Sequence, residues 1–125
     1  MKIKSAIAGS LPKPHWLAES GQLWAPWRLE GEELREAKND AMTIAVANQV
    51  RAGIDVIGDG EQSRQHFVTT FVENQSGIDF KNKKTMRIRD RYDALVPVVV
   101  DQIHRERSVF VEDAKFLRTL TDKTL

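Results

Sequence analysis

The chain has 125 residues, 41% hydrophobic and 30% charged, a composition typical of one small folded domain or of part of a larger one. Its formal net charge of +1 argues against a dedicated nucleic-acid or membrane-surface binder, and no apolar run has transmembrane length. Cysteine is absent, which excludes disulfides and thiolate metal sites built by these residues alone. These features predict a cytoplasmic protein with neither nucleic-acid nor membrane partners.

The amino-terminal residues predict a strand over residues 2–10 that ends at Gly9-Ser10. Pro12 and Pro14 follow in a loop, because a residue without an amide donor cannot continue a helix or a central strand. Three tryptophans come next, and they either line a pocket or anchor the loop to the core. Anchoring of the loop is the favoured role for these three residues, Trp16, Trp24 and Trp27.

Residues 31–52 contain the clearest helical pattern in the chain. Small apolar residues recur at three- and four-residue spacing, which predicts a buried stripe packed closely against a sheet. The stripe comprises Leu34, Ala37, Ala41, Ile44, Ala45 and Asn48. Gly53 is well placed as the carboxyl-terminal cap. Residues 54–57 then predict a short buried strand, so the order strand, helix, strand indicates a βαβ unit with parallel strands.

The sequence after this second strand, Gly58-Asp59-Gly60-Glu61, is the most informative in the chain. Glu61 follows the carboxyl end of the strand, where α/β folds place their catalytic and ligand-binding residues. It either holds a substrate amine or cation, or it caps the helix that follows. That helix is predicted over residues 62–75 and is ended by Gly77. Its apolar face comprises Phe67, Val68, Phe71 and Val72.

Residues 78–107 differ in character, since basic and apolar residues alternate and a valine-rich segment follows. This pattern predicts a β-hairpin arm, with Pro97 confining its second strand to an edge or a bulge. The basic run from Lys81 to Arg91 is explained better as a solvated face than as a contact to phosphates or a polyanionic tail. Residues 98–100, all valine, could form a dimer contact.

Residues 108–120 predict a further helix, capped by Ser108 and carrying acidic residues in its first turn. Its buried stripe comprises Phe110, Ala114, Leu117 and Leu120.

The three histidines, His15, His66 and His104, are far apart and lack the spacing of metal ligands, so surface or packing roles are favoured. No glycine-rich phosphate loop or nucleophile elbow is present. Two turns therefore remain as chemical candidates, and neighbouring parallel strands carry both to one face of a sheet. Ser10 could donate to a carboxylate while Glu61 holds an ammonium, which suits an amino-acid-like ligand. Alternatively, Ser10 only satisfies local turn geometry.

Several motifs resemble the cobalamin-independent methionine synthase family, and most closely its single-barrel members. They are Ala8-Gly9-Ser10-Leu11-Pro12, Trp16-Leu17, Asn39-Asp40-Ala41, Asp59-Gly60-Glu61-Gln62-Ser63-Arg64 with Phe67-Val68 and Phe71, and residues 109–117. The resemblance implies a TIM (β/α)8 barrel that uses zinc to transfer a methyl group from a methylated folate to homocysteine. It also implies that the Ser10 loop contacts the amino-acid carboxylate and that Glu61 binds the amine.

The resemblance covers residues 1–125, interpreted as the N-terminal part of such a barrel with the arm of residues 78–107 inserted, because a complete barrel needs about 250 residues. The zinc ligands that it implies, a histidine, cysteines and a glutamate, belong to later strands. We therefore expect these residues alone to bind no zinc and to be inactive, and we expect exposed barrel edges to produce a homo-oligomer. The alternatives are a non-catalytic, oligomerising interaction module derived from such a barrel, or part of a related thiol transferase of the coenzyme M type.

Overall fold

A computed structural model describes residues 3–19, 25–66 and 68–125. The chain divides into two compact units, the first made of residues 1–67 and 110–125 and the second of residues 68–109. The elements are α1 (Gly31–Arg51), α2 (Thr69–Val72), β1 (Ile78–Ile88), β2 (Tyr92–Val99) and α3 (Val111–Leu120). The α/β class predicted from the sequence is confirmed. Within the described ranges, no helix has the length and apolar character needed to cross a membrane.

Helix α1 forms as the sequence predicts, and Gly53 follows it with a φ of +77°. Its buried residues are Ala37, Ala41, Met42, Ala45, Val46 and Gln49. The predicted stripe was wrong at Ile44, which is 47% exposed, and at Asn48, which is also exposed. The reason is that α1 packs on two sides, with Ala37 and Ala41 in one apolar cluster and Met42 and Val46 in another.

The segments on either side of α1 meet in parallel, as predicted, but residues 3–10 and 54–57 form isolated bridges and not the predicted strands. Ala6 and Val56 form a parallel bridge, and Val56 forms a second parallel bridge with Thr124. The Val56 amide donates to the Ser5 carbonyl at 3.0 Å, and the Ile57 amide donates to the Thr124 carbonyl at 2.8 Å. Residues 54–57 therefore run between two parallel neighbours, which directs the turn that follows them to the same edge as the turn after residue 8.

Helix α3 completes the core of the first unit by bringing Leu117 against Met42, Val46 and Ile57. Two details of the prediction for this helix were wrong. Ser108 is not its cap, because the helix begins at Val111 with Phe110 at the N-cap position. Ala114, assigned to the buried stripe, is exposed.

The helix predicted over residues 62–75 is largely absent, since only the four residues of α2 are helical in the described part of this stretch. Val68 and Phe71, assigned to its apolar face, are 49% and 47% exposed, and Phe67 lies outside the described residues. Residues 61–64 form a turn in which the Arg64 amide donates to the Glu61 carbonyl at 3.2 Å. Side-chain hydrogen bonds from this turn to other segments replace the helical pattern. α2 ends at Val72, so Gly77 does not cap it.

The second unit contains an antiparallel hairpin of β1 and β2, which lies within the stretch predicted as an arm. The register runs from Ile88 opposite Tyr92 to Lys84 opposite Val96, and then jumps to Asp79 opposite Val98. Between these two pairs the chain advances five residues in β1 and two in β2, so β1 contains a bulge of three extra residues. The Asp79 carboxylate accepts the backbone amides of residues 81 and 82 at 2.8 and 3.0 Å, which holds the bulge.

Candidate functional site

The turn over residues 59–64 presents a carboxylate in an unusual backbone conformation. Gly60 and Glu61 have φ values of +63° and +56°, so two consecutive residues are left-handed. The Asp59 carboxylate accepts the Glu61 amide at 2.9 Å, and Arg64 Nη2 donates to both Asp59 oxygens at 2.8 Å. Asp59 and Arg64 therefore hold the backbone that directs the Glu61 side chain.

This turn meets the Gly9-Ser10 turn, as expected from parallel neighbouring segments. Ser10 Oγ donates to Glu61 Oε2. The Leu11 amide donates to the Gly60 carbonyl at 3.0 Å, and Gln62 Nε2 donates to the Leu11 carbonyl at 3.0 Å. We call these two joined turns, residues 9–11 and 59–64, the rim. Their proximity is a property of the structure, whereas the ligand roles of Ser10 and Glu61 stay predictions.

The alternative role for Glu61, as a helix cap, does not fit the structure. Glu61 lies in a turn with left-handed backbone, and the next described helix, α2, has Val68 at its N-cap position. The Glu61 side chain is only 19% exposed and lies 4.0 Å from Arg64 Nη1. A carboxylate placed in this way, next to a hydroxyl and a guanidinium, is suited to bind a polar or cationic group.

A buried glutamine on α1 supports the rim from below. Gln49 is 3% exposed, and its side-chain amide pairs with the backbone of Gly58 in both directions. Gln49 Nε2 donates to the Gly58 carbonyl at 2.8 Å, and Gln49 Oε1 accepts the Gly58 amide at 3.0 Å. The side chain thus acts as a strand partner at the point where residues 54–57 end, and it fixes the start of the turn that carries Glu61.

The charged surroundings of the rim include a cation from the predicted loop. Lys13 is half-buried, and this burial lowers the pKa of its ammonium, while the nearby Glu61 carboxylate acts in the opposite direction. Burial likewise lowers the pKa of His66, again opposed by Glu61. Both shifts indicate groups that are partly withdrawn from water within electrostatic range of Glu61.

The tryptophans behave differently from one another. Trp27 packs against the cluster of Leu17, Ala37 and Ala41, which confirms the loop-anchoring interpretation for this residue. Trp16 is 44% exposed and Trp24 lies outside the described residues, so the interpretation stays a prediction for these two. The Trp27 ring also lies 5.9 Å from Lys13 Nζ and 4.5 Å from Lys38 Nζ, measured to its centroid.

Two buried polar atoms of the rim, Gln62 Oε1 and Arg64 Nε, have no hydrogen-bond partner among the described residues. The zinc implied by the resemblance does not fit the residues present. The chain has no cysteine, and over residues 3–19, 25–66 and 68–125 no three histidine, aspartate or glutamate side chains group as metal ligands. The joined turns of Ser10 and Glu61, together with these two buried polar atoms, are a candidate binding site for a polar organic molecule.

Comparison with known proteins identifies the family. Residues 3–125 match the family model described as the catalytic domain of cobalamin-independent synthase. This chain is a member of the cobalamin-independent synthase family. Methionine synthases from Sulfolobus acidocaldarius and Saccharolobus solfataricus are 30% and 31% identical to it over 119 residues, which is 95% of this chain. The resemblance stated from the motifs is thus confirmed.

A solved structure is also similar to this family member. It is a B12-independent methionine synthase from Shewanella sp. W3-18-1 in complex with selenomethionine, 58% identical, with a TM-score of 0.90 over 95% of this chain. The matched region is 35% of that protein and 34–35% of the two archaeal enzymes. The chain therefore spans about a third of the length of the relatives it matches.

Sequence reasoning about this synthase family member predicted that Ser10 and Glu61 meet, while their ligand roles stay predictions, and it missed three residues: Gln49, Arg64 and Lys13. Gln49 had a detectable signal, because it continues the buried helical spacing of Ala41 and Ala45 as a polar residue. Arg64 was noted only as part of a motif. Lys13 had no signal beyond its place between two prolines.

Proposed function

We propose that this chain forms the N-terminal part of the barrel of a cytoplasmic methionine synthase, which transfers a methyl group from a methylated folate to homocysteine. In this proposal Ser10 and Glu61 hold the amino-acid acceptor. The hydrogen bond that joins Ser10 to Glu61 at the meeting of two parallel segments is the observation that carries it. Membership of the synthase family supports the proposal, and so does the selenomethionine complex of the similar Shewanella enzyme.

The chemistry of an amino acid suits this pair of side chains. At neutral pH the amino acid carries an ammonium and a carboxylate, and the Glu61 carboxylate can accept from the ammonium. The Ser10 hydroxyl can then rotate from Glu61 to donate to the ligand carboxylate. Binding exchanges one hydroxyl–carboxylate hydrogen bond for another of the same kind and adds a hydrogen bond between the ligand ammonium and the Glu61 carboxylate, in which both groups are charged.

In this proposal the chain's own residues bind and orient the acceptor. The deprotonated thiol would be supplied in the complete enzyme by a zinc ion held by residues other than those described here. Because the described residues provide no such metal site, we assign the metal ligands to other parts of the complete enzyme. A polypeptide of these residues alone is therefore proposed to be inactive.

The test is calorimetric titration of homocysteine into the complete gene product, whether 125 residues or longer. We expect Glu61→Gln to weaken binding about 10- to 100-fold, since a hydrogen bond to a charged group contributes about 1.5–3 kcal/mol. Ser10→Ala should weaken it about 3- to 10-fold. Glu33→Gln, an exposed carboxylate in the first turn of α1, is the matched control and should leave affinity unchanged. Unchanged affinity in Glu61→Gln contradicts the proposal.

We further propose that the chain self-associates through the edge of β2. Val99 ends this strand and Val100 follows it; they are 60% and 64% exposed, and apolar side chains at a strand edge favour pairing with a second copy. Sedimentation velocity at micromolar concentration should show an oligomer that Val99→Lys disrupts. A compact monomer at that concentration contradicts this part of the proposal.

A further inference from the structure

Gln62 is a buried polar side chain of the rim, with 1% of its surface exposed. Its Nε2 donates to the Leu11 carbonyl and to the Gly60 carbonyl, both at 3.0 Å. The two acceptors belong to different turns, since Leu11 follows Ser10 and Gly60 precedes Glu61. One buried amide group therefore joins the backbone next to each of the two side chains for which a ligand role is predicted.

The peptide group between Gly60 and Glu61 is held at both of its polar atoms. Its carbonyl accepts the Leu11 amide at 3.0 Å as well as Gln62 Nε2, and its amide donates to the Asp59 carboxylate at 2.9 Å. This peptide joins two consecutive left-handed residues, a conformation that a residue with a Cβ adopts only where surrounding contacts hold it. A rotation of the peptide would redirect the Glu61 side chain, so the bonds that fix the peptide also fix the carboxylate.

The two carbonyl oxygens determine which chemical group suits the position of the Gln62 amide. Both oxygens are acceptors, and an NH2 group provides one hydrogen for each of them. A glutamate carboxylate would instead place an acceptor and a negative charge against the same oxygens, and its burial would raise its pKa. Once protonated, that carboxyl group could again donate one hydrogen bond. Gln62→Glu is consequently a variant whose donor is removed and restored by pH.

We propose that Gln62 is a positioning residue of the rim, whose side-chain amide holds the Ser10 turn against the Glu61 turn so that both side chains act on one ligand. This inference rests on the proposed function and deepens it. The side chain acts through the backbone, because its Nε2 is engaged by the carbonyls of Leu11 and Gly60. The hydrogen bond between Ser10 and Glu61 is then a consequence of this link.

A purely structural role for Gln62 predicts a different result. Removing a buried amide that only stabilises the fold lowers the fraction of folded molecules, and those that fold bind with unchanged affinity. Calorimetric titration separates the two quantities, because the stoichiometry reports the binding-competent fraction and the curvature reports the Kd of that fraction. A positioning role raises the Kd itself.

The experiment titrates homocysteine into the complete gene product, as wild type, Gln62→Met and Gln62→Glu. Methionine keeps the length of the side chain and removes the donor, so we expect the Kd to rise about tenfold. For Gln62→Glu, the Kd relative to wild type should rise about 30-fold at about pH 8 and fall to within about threefold at about pH 5. Comparison at equal pH removes the titration that both proteins share. Gln102→Glu, at an exposed glutamine, is the matched control and should leave the Kd unchanged at both pH values.

A double-mutant cycle tests whether Gln62 acts through the Ser10 turn. We expect the loss caused by Gln62→Met to fall from about tenfold to about threefold when Ser10 is already replaced by alanine, since part of the effect depends on the Ser10 hydroxyl. Equal losses in the two backgrounds overturn the positioning role.

Two further results overturn this inference: an unchanged Kd for Gln62→Met, with or without a reduced stoichiometry, and a relative Kd for Gln62→Glu that is the same at both pH values. Should Gln62→Met fail to fold, as judged by circular dichroism, the pH series of Gln62→Glu decides. Glu61→Gln is measured in parallel. If it weakens binding while the Gln62 variants do not, the positioning role fails and the proposed function stands. If Glu61→Gln leaves the affinity unchanged, the proposed function fails and the positioning role fails with it.

Discussion

Each unit of the molecule contains an arginine–aspartate pair, and the two pairs differ sharply in their surroundings. Arg64 and Asp59 at the rim are 2.8 Å apart, with side chains 20% and 18% exposed. Arg87 and Asp93 on the hairpin are 3.3 Å apart, with side chains 53% and 58% exposed. The same chemical pair is thus largely withdrawn from water in one unit and largely solvated in the other.

The comparison shows which charges organise structure. Asp59 also accepts the Glu61 amide within the same turn, and the Arg64 guanidinium lies 5.0 Å from the Phe110 ring, so the rim pair holds its own turn and contacts one further segment. The hairpin pair joins two neighbouring strands that are already paired by their backbones. Exposed pairs contribute little because water and salt screen them. The charges of the rim therefore determine geometry, whereas those of the hairpin mainly solvate its surface.

The largest effect on stability is expected for Gln49→Ala. This variant tests whether the buried hydrogen bonds beneath the rim hold it in place. Gln49→Ala removes both hydrogen bonds to Gly58 and leaves a backbone amide and carbonyl without these partners. We expect a loss of about 2–4 kcal/mol in the free energy of unfolding, measured by urea denaturation. The control is Asn48→Ala, an exposed neighbour on the same helix, which should change stability by less than about 0.5 kcal/mol. Equal effects in the two variants contradict the supporting role of Gln49.

A second variant tests the close contact between the two turns of the rim. Gly60 has a φ of +63°, and a Cβ there would lie 3.0 Å from the Leu11 side chain. Gly60→Ala should destabilise the chain by about 1–3 kcal/mol through backbone strain and this contact. Gly53→Ala has a similar φ of +77° but open space around the new methyl, so it should lose only about 1 kcal/mol. The difference between the two losses measures the packing of Leu11 on the turn.

Patterns with strong local causes could be predicted from the sequence. Helix α1 has a regular apolar spacing, acidic residues in its first turn and a glycine after its end, and its bounds were predicted to within one residue. The meeting of Ser10 and Glu61 followed from topology, because neighbouring parallel segments carry their following turns to the same edge. These expectations depend on local preferences and on chain direction.

Features that depend on tertiary contacts could not be predicted. The apolar residues after the rim resemble one helix face, yet Gln62 and Ser63 bond to Leu11 and Asp113, and a turn replaces the helix. The buried position of Gln49 depends on the strand beside α1. For Lys13, the sequence contains no indication of the surrounding charges, which come from segments about 50 residues away. Local periodicity carries no information about such partners.

Double-mutant cycles on the two arginine–aspartate pairs sharpen the comparison directly. The variants are Arg64→Met with Asp59→Asn, and Arg87→Met with Asp93→Asn. We expect a coupling free energy of about 1–2 kcal/mol for the rim pair and below about 0.5 kcal/mol for the exposed pair. Raising the salt concentration to about 1 M should reduce the hairpin coupling more than the rim coupling. Equal couplings would mean that the difference in exposure has no energetic consequence.

The smallest effect concerns the bulge of the hairpin, where an exposed carboxylate acts through hydrogen bonds instead of burial. The backbone amide of Asn82, its side-chain amide and the Lys81 amide all donate to Asp79 and lower the pKa of this carboxyl below its usual 3.8. A lowered folded-state pKa means that the bulge is stabilised above about pH 4 and loses this contribution as the pH falls through the folded-state value. A carbon-detected NMR titration should therefore place the Asp79 midpoint below 3.8. Asn82→Ala removes the side-chain donor and should move the midpoint up, and a midpoint that does not move means that this amide does not hold the bulge.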